Sequence, residues 1–394
     1  MPFKRGKWRT GRVLLLAVML LVIGLAGSGC VEGLQSIGWS GGAVSDGSLF
    51  VGSKQGRLVA VNLADESRQW TEPLRETGQT GGFLGSCAPA YGGGCGAGAS
   101  GVAIYGTPAV YGDRVYIGGY NGKVYSYNIS SLQMDDVYPP EGYLEPIVGG
   151  IVADEGNIYF GGADGKVYAL DATDLIRKWE FETGDKIWST PAISDGTLYI
   201  GSFDKKLYAL NAAEGSKQWE FEAEGAIIST PLVHNGMVYI GSFDRHLYAV
   251  DAVTGKEKWR FPAGEDENNP DNWFWAQPVV YGDTIYAGCL DGKVYALRAD
   301  TGAKVAEYDL GSPVSSSPVV VDSSIIFASR NGAVYTIDTG LSQLKLLAEI
   351  GEEIYGPLSA SEGVIYIHTQ DLTLHRVNAT TGAIFRPISL ESKD

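Results

Sequence analysis

The chain is dominated by short runs of aliphatic, aromatic and β-branched residues separated by polar turns. GTLYIGS (residues 196–202) and KKLYALN (residues 205–211) are two such runs, and Asp204 lies in the turn between them. An Asp or Asn at this point, usually followed by Gly in related segments, is a signal for a tight β-hairpin. Beyond about residue 30 no amphipathic helical period appears, so the pattern predicts antiparallel strands rather than helices.

The hairpin phrase is repeated along the chain. YIGSFDKKLYAL (residues 199–210) returns as YIGSFDRHLYAV (residues 239–250), with Tyr208 and Tyr248 in the same place. This anchor position is occupied, in chain order, by Val59, Tyr125, Tyr168, Tyr208, Tyr248, Tyr295, Tyr335 and His375. Five of the seven steps are 40 to 43 residues long, which is the period of a repeat architecture.

Two further strands complete each repeat. STPAISDG precedes the hairpin, and its Pro191 recurs as Pro108, Pro231, Pro278 and Pro318. A Trp eleven residues after the anchor marks a last strand, at Trp70, Trp179, Trp219 and Trp259. Four strands in each of eight units predict an all-β protein, an eight-bladed β-propeller of four-stranded antiparallel blades over residues 36–394. Both the first and the last unit have residues for four strands, although LQSIGW (residues 34–39) is also able to pair with the last blade.

One segment carries a recognisable family motif. AVDAVTGKEKW (residues 249–259) resembles the tryptophan-docking motif of the propellers named after pyrroloquinoline quinone (PQQ), in which Ala, Asp, Gly and Trp fix neighbouring blades together. Weaker copies are ALNAAEGSKQW (residues 209–219) and ALDATDLIRKW (residues 169–179). The resemblance implies the propeller fold, whereas function has to be argued from a site.

The N-terminus has the features of a secretory signal. Five basic residues precede an apolar run from Val13 to about Ala26, which is short for a membrane-spanning helix. LAGSGC (residues 25–30) resembles the bacterial lipobox, in which Cys30 is diacylated and becomes the first residue of the mature protein, although Gly27 stands where Leu is usual. We therefore predict a signal peptide over 1–29, lipid attachment at Cys30 and a short tether over 30–35. An uncleaved anchor or an ordinary cleavage site are the alternatives.

The net charge limits the classes of partner that the protein can bind, and the cysteines bear on the redox state of its compartment. The formal charge is −16, and it becomes −21 without the leader, whose charged residues are all basic. Such an acidic body repels phosphate backbones, which argues against a nucleic acid partner. Cys87 and Cys95 lie in a Gly-rich insertion and are predicted to form a disulfide in an oxidising compartment. Cys289 occupies the place of Ser202 and Ser242, so we expect a buried, inert thiol.

An enzyme is the main alternative class. PQQ-dependent dehydrogenases of this fold family need an adjacent Cys pair above the cofactor and a calcium site, and no two cysteines are adjacent in this chain. The four histidines, His234, His246, His368 and His375, lack zinc-ligand spacing, and no Gly-x-Ser-x-Gly nucleophile elbow occurs in a strand-to-helix context. We therefore predict no catalytic, cofactor-binding or metal-binding residues and no cofactor, which leaves a binding scaffold that is not an enzyme.

Two irregular stretches interrupt the repeat and are candidates for binding loops, Glu72–Ala103 and Ala263–Asn272. Trp273 and Phe274 follow the second stretch as possible contact residues, whereas Trp275 aligns with Trp188 and is expected in the core.

A lipid-anchored eight-bladed propeller of this size resembles the BamB family of outer-membrane assembly lipoproteins. The resemblance implies a protein partner, a β-barrel assembly subunit, and an extracytoplasmic location: the outer membrane facing the periplasm, or otherwise the outer face of a single cytoplasmic membrane. An extracytoplasmic sensor or adhesion propeller is the other non-enzymatic alternative.

Overall fold

The computed structural model describes residues 40–53, 55–74, 102–264, 270–340, 343–369 and 372–391. These residues form eight four-stranded antiparallel sheets, each built from strands that are consecutive in the chain. The sheets are the blades of a β-propeller, as the repeat predicts. No helix in this part of the chain is long and apolar enough to span a membrane.

The first four blades in chain order are formed by strands β1 to β16. Blade 1 has β1 (Gly42–Ser45), β2 (Ser48–Gly52), β3 (Leu58–Asn62) and β4 (Arg68–Trp70). Blade 2 has β5 (Ala109–Tyr111), β6 (Arg114–Gly118), β7 (Val124–Asn128) and β8 (Met134–Tyr138). Blade 3 has β9 (Val152–Asp154), β10 (Asn157–Gly161), β11 (Lys166–Asp171) and β12 (Arg177–Glu182). Blade 4 has β13 (Ala192–Ser194), β14 (Thr197–Gly201), β15 (Lys206–Asn211) and β16 (Lys217–Glu222).

The remaining four blades repeat the same order. Blade 5 has β17 (Leu232–His234), β18 (Met237–Gly241), β19 (Leu247–Asp251) and β20 (Glu257–Phe261). Blade 6 has β21 (Val279–Tyr281), β22 (Thr284–Gly288), β23 (Lys293–Arg298) and β24 (Lys304–Asp309). Blade 7 has β25 (Val319–Val321), β26 (Ser324–Ala328), β27 (Ala333–Asp338) and β28 (Gln343–Glu349). Blade 8 has β29 (Ser359–Ser361), β30 (Val364–His368), β31 (Thr373–Asn378) and β32 (Ile388–Ser389).

The core lies between the faces of neighbouring blades. One cluster combines Tyr159 and Val167 of blade 3 with Leu198 and Ile200 of blade 4, and all four are buried. The two middle strands of each blade contribute most of these side chains, because they have a sheet neighbour on both sides and a blade on each face. Apolar residues on successive strand positions are therefore buried against two different blades.

The ring closes through side-chain and backbone contacts between two complete blades. β29 contacts β1, and the Ser359 hydroxyl donates to the carbonyl of Gly42 at 2.7 Å. Arg376 of blade 8 forms an ion pair with Glu66 of blade 1 at 2.7 Å. Both terminal blades have four strands of their own, as expected, and LQSIGW lies outside the described residues.

Blade 1 departs from blades 2 to 6 in the register of its outermost strand. In blade 4 a bulge between Ala209 and Leu210 sets Trp219 opposite Ala209. β3 and β4 pair without a bulge, so Gln69 lies opposite Ala60 and Trp70 lies opposite Val59. Because successive strand residues face opposite sides, Trp70 faces blade 8 instead of blade 2. The expected equivalence of Trp70 with Trp179, Trp219 and Trp259 therefore holds for the strand but not for the direction of the side chain.

Candidate functional site

One face of the propeller, which we call the loop face, carries two kinds of connection. The first kind joins the outermost strand of one blade to the innermost strand of the next, and the second is the turn between the two middle strands of a blade. Their backbones are joined: the amide of Phe203 donates to the carbonyl of Lys186 at 3.0 Å, and the amide of Phe243 donates to that of Ala226 at 2.9 Å. The loop face is therefore a continuous, hydrogen-bonded surface across these blades.

The middle-strand turns are fixed by an Asp and the anchor Tyr. In blade 5 the Tyr248 hydroxyl donates to Asp244 at 2.9 Å, and Asp244 also accepts the backbone amides of His246, Glu224 and Gly225. Burial alone raises the pKa of Asp244, but the hydrogen bonds from His246 and Tyr248 outweigh it and lower the pKa to about 2. This carboxylate is an ionised structural acceptor that holds the turn against the neighbouring connection.

Five half-buried aromatic side chains form a row on the loop face across blades 4, 5 and 6. The aromatic row consists of Trp188, Phe203, Phe243, Trp273 and Trp275. The ring centroids of Trp188 and Phe203 are 4.7 Å apart at 76°, and those of Phe203 and Phe243 are 6.1 Å apart at 78°. Phe243 stacks on Trp273 at 4.3 Å and 18° and lies 5.9 Å from Trp275.

The alternation of the backbone explains why these tryptophans remain accessible. Trp188 lies between Ile187 and Ser189, which are both fully buried, so its side chain points away from the core. Phe274 takes the place of Ile187 and is fully buried, so Trp275 takes the accessible position. The expectation of a core Trp275 and an exposed Phe274 is therefore wrong for both residues.

Three cations surround the aromatic row. The Lys186 ammonium lies 5.2 Å from the ring centre of Trp188 and 4.6 Å from that of Phe203, which is a cation–π arrangement. Lys205 and Arg245 are exposed in the turns that begin with Phe203 and Phe243. The row therefore combines apolar area with positive charge.

Aromatic residues also occupy the position of Trp188 in two other blades. Tyr105 contacts Tyr120 with centroids 5.3 Å apart, and burial raises the pKa of Tyr105 to about 12. The Arg330 guanidinium lies 4.6 Å from the ring centre of Tyr355. The recurrence of Tyr or Trp four residues before the innermost strand was the sequence signal for this surface, and the sequence interpretation assigned it to the core.

The residues predicted from the sequence fall into two groups. Cys30, Cys87 and Cys95 lie outside the described residues. Cys289 is buried, its thiol contacts the carbonyl oxygen of Asn272 at 3.4 Å, and burial raises its pKa well above the usual value, which confirms a buried, unreactive thiol.

The histidines serve the framework in two blades. His246 contacts Asp244 at 3.1 Å, and His368 contacts the carbonyl of Ser40 across the ring closure at 3.1 Å. Among the residues that the structure describes, no three His, Cys, Asp or Glu side chains cluster as metal ligands.

Comparison with known proteins agrees with the fold. BamB from Moraxella catarrhalis is 17% identical, with a TM-score of 0.65 over 84% of this chain and 93% of that one. The computationally designed Ika8 protein is 15% identical, with a TM-score of 0.68 over 88% of this chain and 97% of its own. Sqt1 from Saccharomyces cerevisiae is 13% identical, with a TM-score of 0.65 over 73% and 85% of the two chains. At these identities the likeness concerns the fold alone.

No curated protein gives a significant match. The family profile described as "Outer membrane protein assembly factor BamB" matches residues 93–181 and 164–387, which together cover most of the chain. This match agrees with the four-stranded blades and the tryptophan-docking segments, and it shows that the chain belongs to the BamB-type family of PQQ-like repeat propellers.

Proposed function

We propose that this protein is a non-catalytic, lipid-anchored scaffold on the extracytoplasmic side of the membrane, which binds another protein through its loop face during assembly of outer-membrane β-barrel proteins. The aromatic row is the observation that supports binding of another protein. Aromatic side chains supply a large share of the energy at protein–protein interfaces, and five of them are half-accessible here on neighbouring blades. The family membership supports the assembly role.

The polar groups beneath the row support a binding role over catalysis. The Asp204 carboxylate accepts the Tyr208 hydroxyl at 2.6 Å and the amide of Gly184 at 2.6 Å. Asp291 in blade 6 accepts the Tyr295 hydroxyl at 2.7 Å in the same way. These repeated contacts hold the turns in place, and the same arrangement in successive blades is what a framework requires rather than one reactive centre.

Co-purification tests the proposed function. The full-length protein is tagged, extracted from the membranes of its source with a mild detergent, and its partners are identified by mass spectrometry. We expect a β-barrel assembly subunit to co-purify with the wild type. Trp188→Ala combined with Trp275→Ala should reduce its recovery by roughly 30-fold, the effect of losing about 2 kcal/mol of binding energy.

The matched control is Val253→Ala, which removes an 82% exposed side chain from the opposite end of blade 5 and should leave recovery unchanged. Equal recovery with both variants would place the partner on another surface. If no assembly subunit is recovered and the purified protein binds PQQ with calcium and reduces an electron acceptor with alcohols or sugars, the scaffold proposal is wrong.

A further inference from the structure

The cations around the aromatic row differ from the other lysines of the outer blades. Lys166, Lys206 and Lys293 each form an ion pair with a Glu of the adjacent outermost strand, at 2.9, 2.6 and 3.1 Å. Within the described ranges, Lys186, Lys205 and Arg245 make no such pair. In a chain with a formal charge of −16, three unneutralised cations beside one apolar surface are a local reversal of charge.

Two of these cations have a backbone conformation that residues other than glycine rarely adopt. Lys205 has φ of 74° and Arg245 has φ of 73°, in the left-handed region. The equivalent turn position in blades 2, 3, 6 and 7 is Gly, at Gly122, Gly165, Gly292 and Gly332. Backbone strain of this kind persists where the side chain has a use. Both strained cations follow a phenylalanine of the aromatic row.

The carboxylates that precede these cations in the chain already have hydrogen-bond donors. Asp204 and Asp244 accept tyrosine hydroxyls and backbone amides, as described above. Asp185 accepts the amide of Lys186 at 2.7 Å. Among the residues that the structure describes, Lys186, Lys205 and Arg245 have no carboxylate partner, so they are donors for an external carboxylate.

The ring orientations favour side chains over sugar rings as the apolar part of the ligand. Trp188, Phe203 and Phe243 meet nearly edge to face, at 76° and 78°. Rings that meet edge to face leave ring edges and parts of ring faces accessible, whereas a sugar stacks on one open flat face. Such ring surfaces suit the alternate side chains of an extended polypeptide.

We propose that the aromatic row and its three cations bind an extended segment of a partner protein in which aromatic or aliphatic side chains alternate with Asp or Glu. The apolar side chains pack on the accessible surfaces of the rings, and the carboxylates pair with Lys186, Lys205 and Arg245. This inference rests on the proposed function, because it names the chemistry of the partner segment that the loop face receives.

Fluorescence anisotropy with the purified full-length protein in detergent tests the inference. The first probe is a short labelled peptide in which Phe and Leu alternate with Asp and Glu, and the second replaces every acid by Lys. A labelled acidic oligosaccharide is the third probe. We expect the acidic peptide to bind and the basic peptide to bind at least about tenfold more weakly, because like charges face each other.

Variants separate charge from packing. Lys205→Gly combined with Arg245→Gly relieves the backbone strain, so thermal stability should be equal or higher while the acidic peptide binds about tenfold more weakly. Trp188→Ala with Trp275→Ala should weaken both peptides. Lys256→Gln removes an exposed cation from the opposite end of blade 5 and should leave binding unchanged.

The outcomes distinguish the inference from the proposed function. Equal affinity for the acidic and basic peptides, or no effect of the double Gly variant, overturns the charge complementarity. Tighter binding of the oligosaccharide assigns the surface to a glycan instead. If no peptide binds while the assembly subunit still co-purifies through the aromatic row, the inference fails and the proposed function stands.

Discussion

At the scale of single residues, one tryptophan in each of blades 3, 4 and 5 joins the blade to the next one. The Trp219 indole donates to the carbonyl of Ala252 in the next blade at 3.0 Å and packs on Gly255. Gly255 has φ of 67°, and an added Cβ would lie 2.7 Å from the indole. Where the facing strand presents no tryptophan, as between blades 1 and 2, the glycine position is taken by Leu132, which is buried. Gly215, Gly255 and Gly302 therefore each leave room for the tryptophan of the preceding blade.

A pair of Gly→Ala substitutions in blade 5 tests this account. Gly236 has φ of 72° and nothing within 4 Å of an added Cβ, so Gly236→Ala should lower the free energy of unfolding by only about 1 kcal/mol. Gly255→Ala adds a clash with Trp219 and should cost about 3 kcal/mol in total. Urea denaturation measures both, and equal losses would contradict the docking role of Gly255.

The acid dependence of stability should reflect Asp244. Its pKa is lowered from 3.8 to about 2, so its carboxylate stabilises the folded state above the unfolded pKa and loses this contribution as pH falls. We expect about 2 kcal/mol to disappear between about pH 4 and pH 2. The difference in unfolding free energy between wild type and Asp244→Asn should shrink over this range.

Asp195→Asn is the matched control, because it removes an exposed carboxylate from the turn of blade 4. Its unfolding free energy serves as the reference for the loss of one surface carboxylate. If the Asp244→Asn difference stays constant down to pH 2, the hydrogen bonds of Asp244 do not stabilise its ionised form.

At the scale of elements, β4 shows how a one-residue change in register redirects a side chain. Without the bulge found in blades 3 to 6, Trp70 turns to blade 8, where its indole donates to the carbonyl of Leu390 at 3.1 Å. It packs there beside buried Leu49, Val61 and Ile388. The side chain that joins neighbouring blades elsewhere therefore contributes to the closure of the ring here.

Adjacent substitutions in β4 distinguish the two registers. Trp70→Ala should lower the free energy of unfolding by about 3 kcal/mol, because it removes a large side chain from the closure. Gln69→Ala, on the other side of the strand and exposed, should cost less than about 0.5 kcal/mol. Similar losses for the two variants in thermal or urea denaturation would mean that β4 has the bulged register.

The Gly-rich insertion between blades 1 and 2 carries the predicted disulfide of Cys87 and Cys95. Under denaturing conditions without reductant, an alkylating reagent should modify Cys289, whose thiol is buried and free in the folded protein, and leave Cys87 and Cys95 unmodified. Mass spectrometry of the peptides measures the result, and reduction before alkylation is the control. Modification of Cys87 and Cys95 without reduction would show two free thiols.

At the scale of the whole molecule, two complete terminal blades meet without sharing a strand. The closure depends on the contact of β29 with β1, the Arg376–Glu66 ion pair and the cluster around Trp70. All eight blades are formed by residues from Gly42 onward, as expected if residues 1–29 are the predicted signal peptide.

The anchoring prediction concerns Cys30. Cys30→Ser should move the protein from the detergent phase to the aqueous phase on phase separation, because a lipid chain contributes about 0.8 kcal/mol per buried CH₂. The circular dichroism spectrum should not change, since the blades begin at Gly42. Unaltered partitioning would mean that the apolar leader itself holds the protein at the membrane.

The sequence by itself determined the number of blades and the four strands in each, because these depend on local periodicity and turn chemistry repeated eight times. Only the tertiary structure decided the direction of Trp70, the accessibility of Trp275 and the burial of Phe274, since each depends on strand register and on which blade faces the residue. The aromatic row brings together side chains from three blades, with Trp188 and Trp275 87 positions apart in the chain. The recurring Trp or Tyr marks single positions of this surface, but the surface itself exists only when the ring sets neighbouring turns side by side.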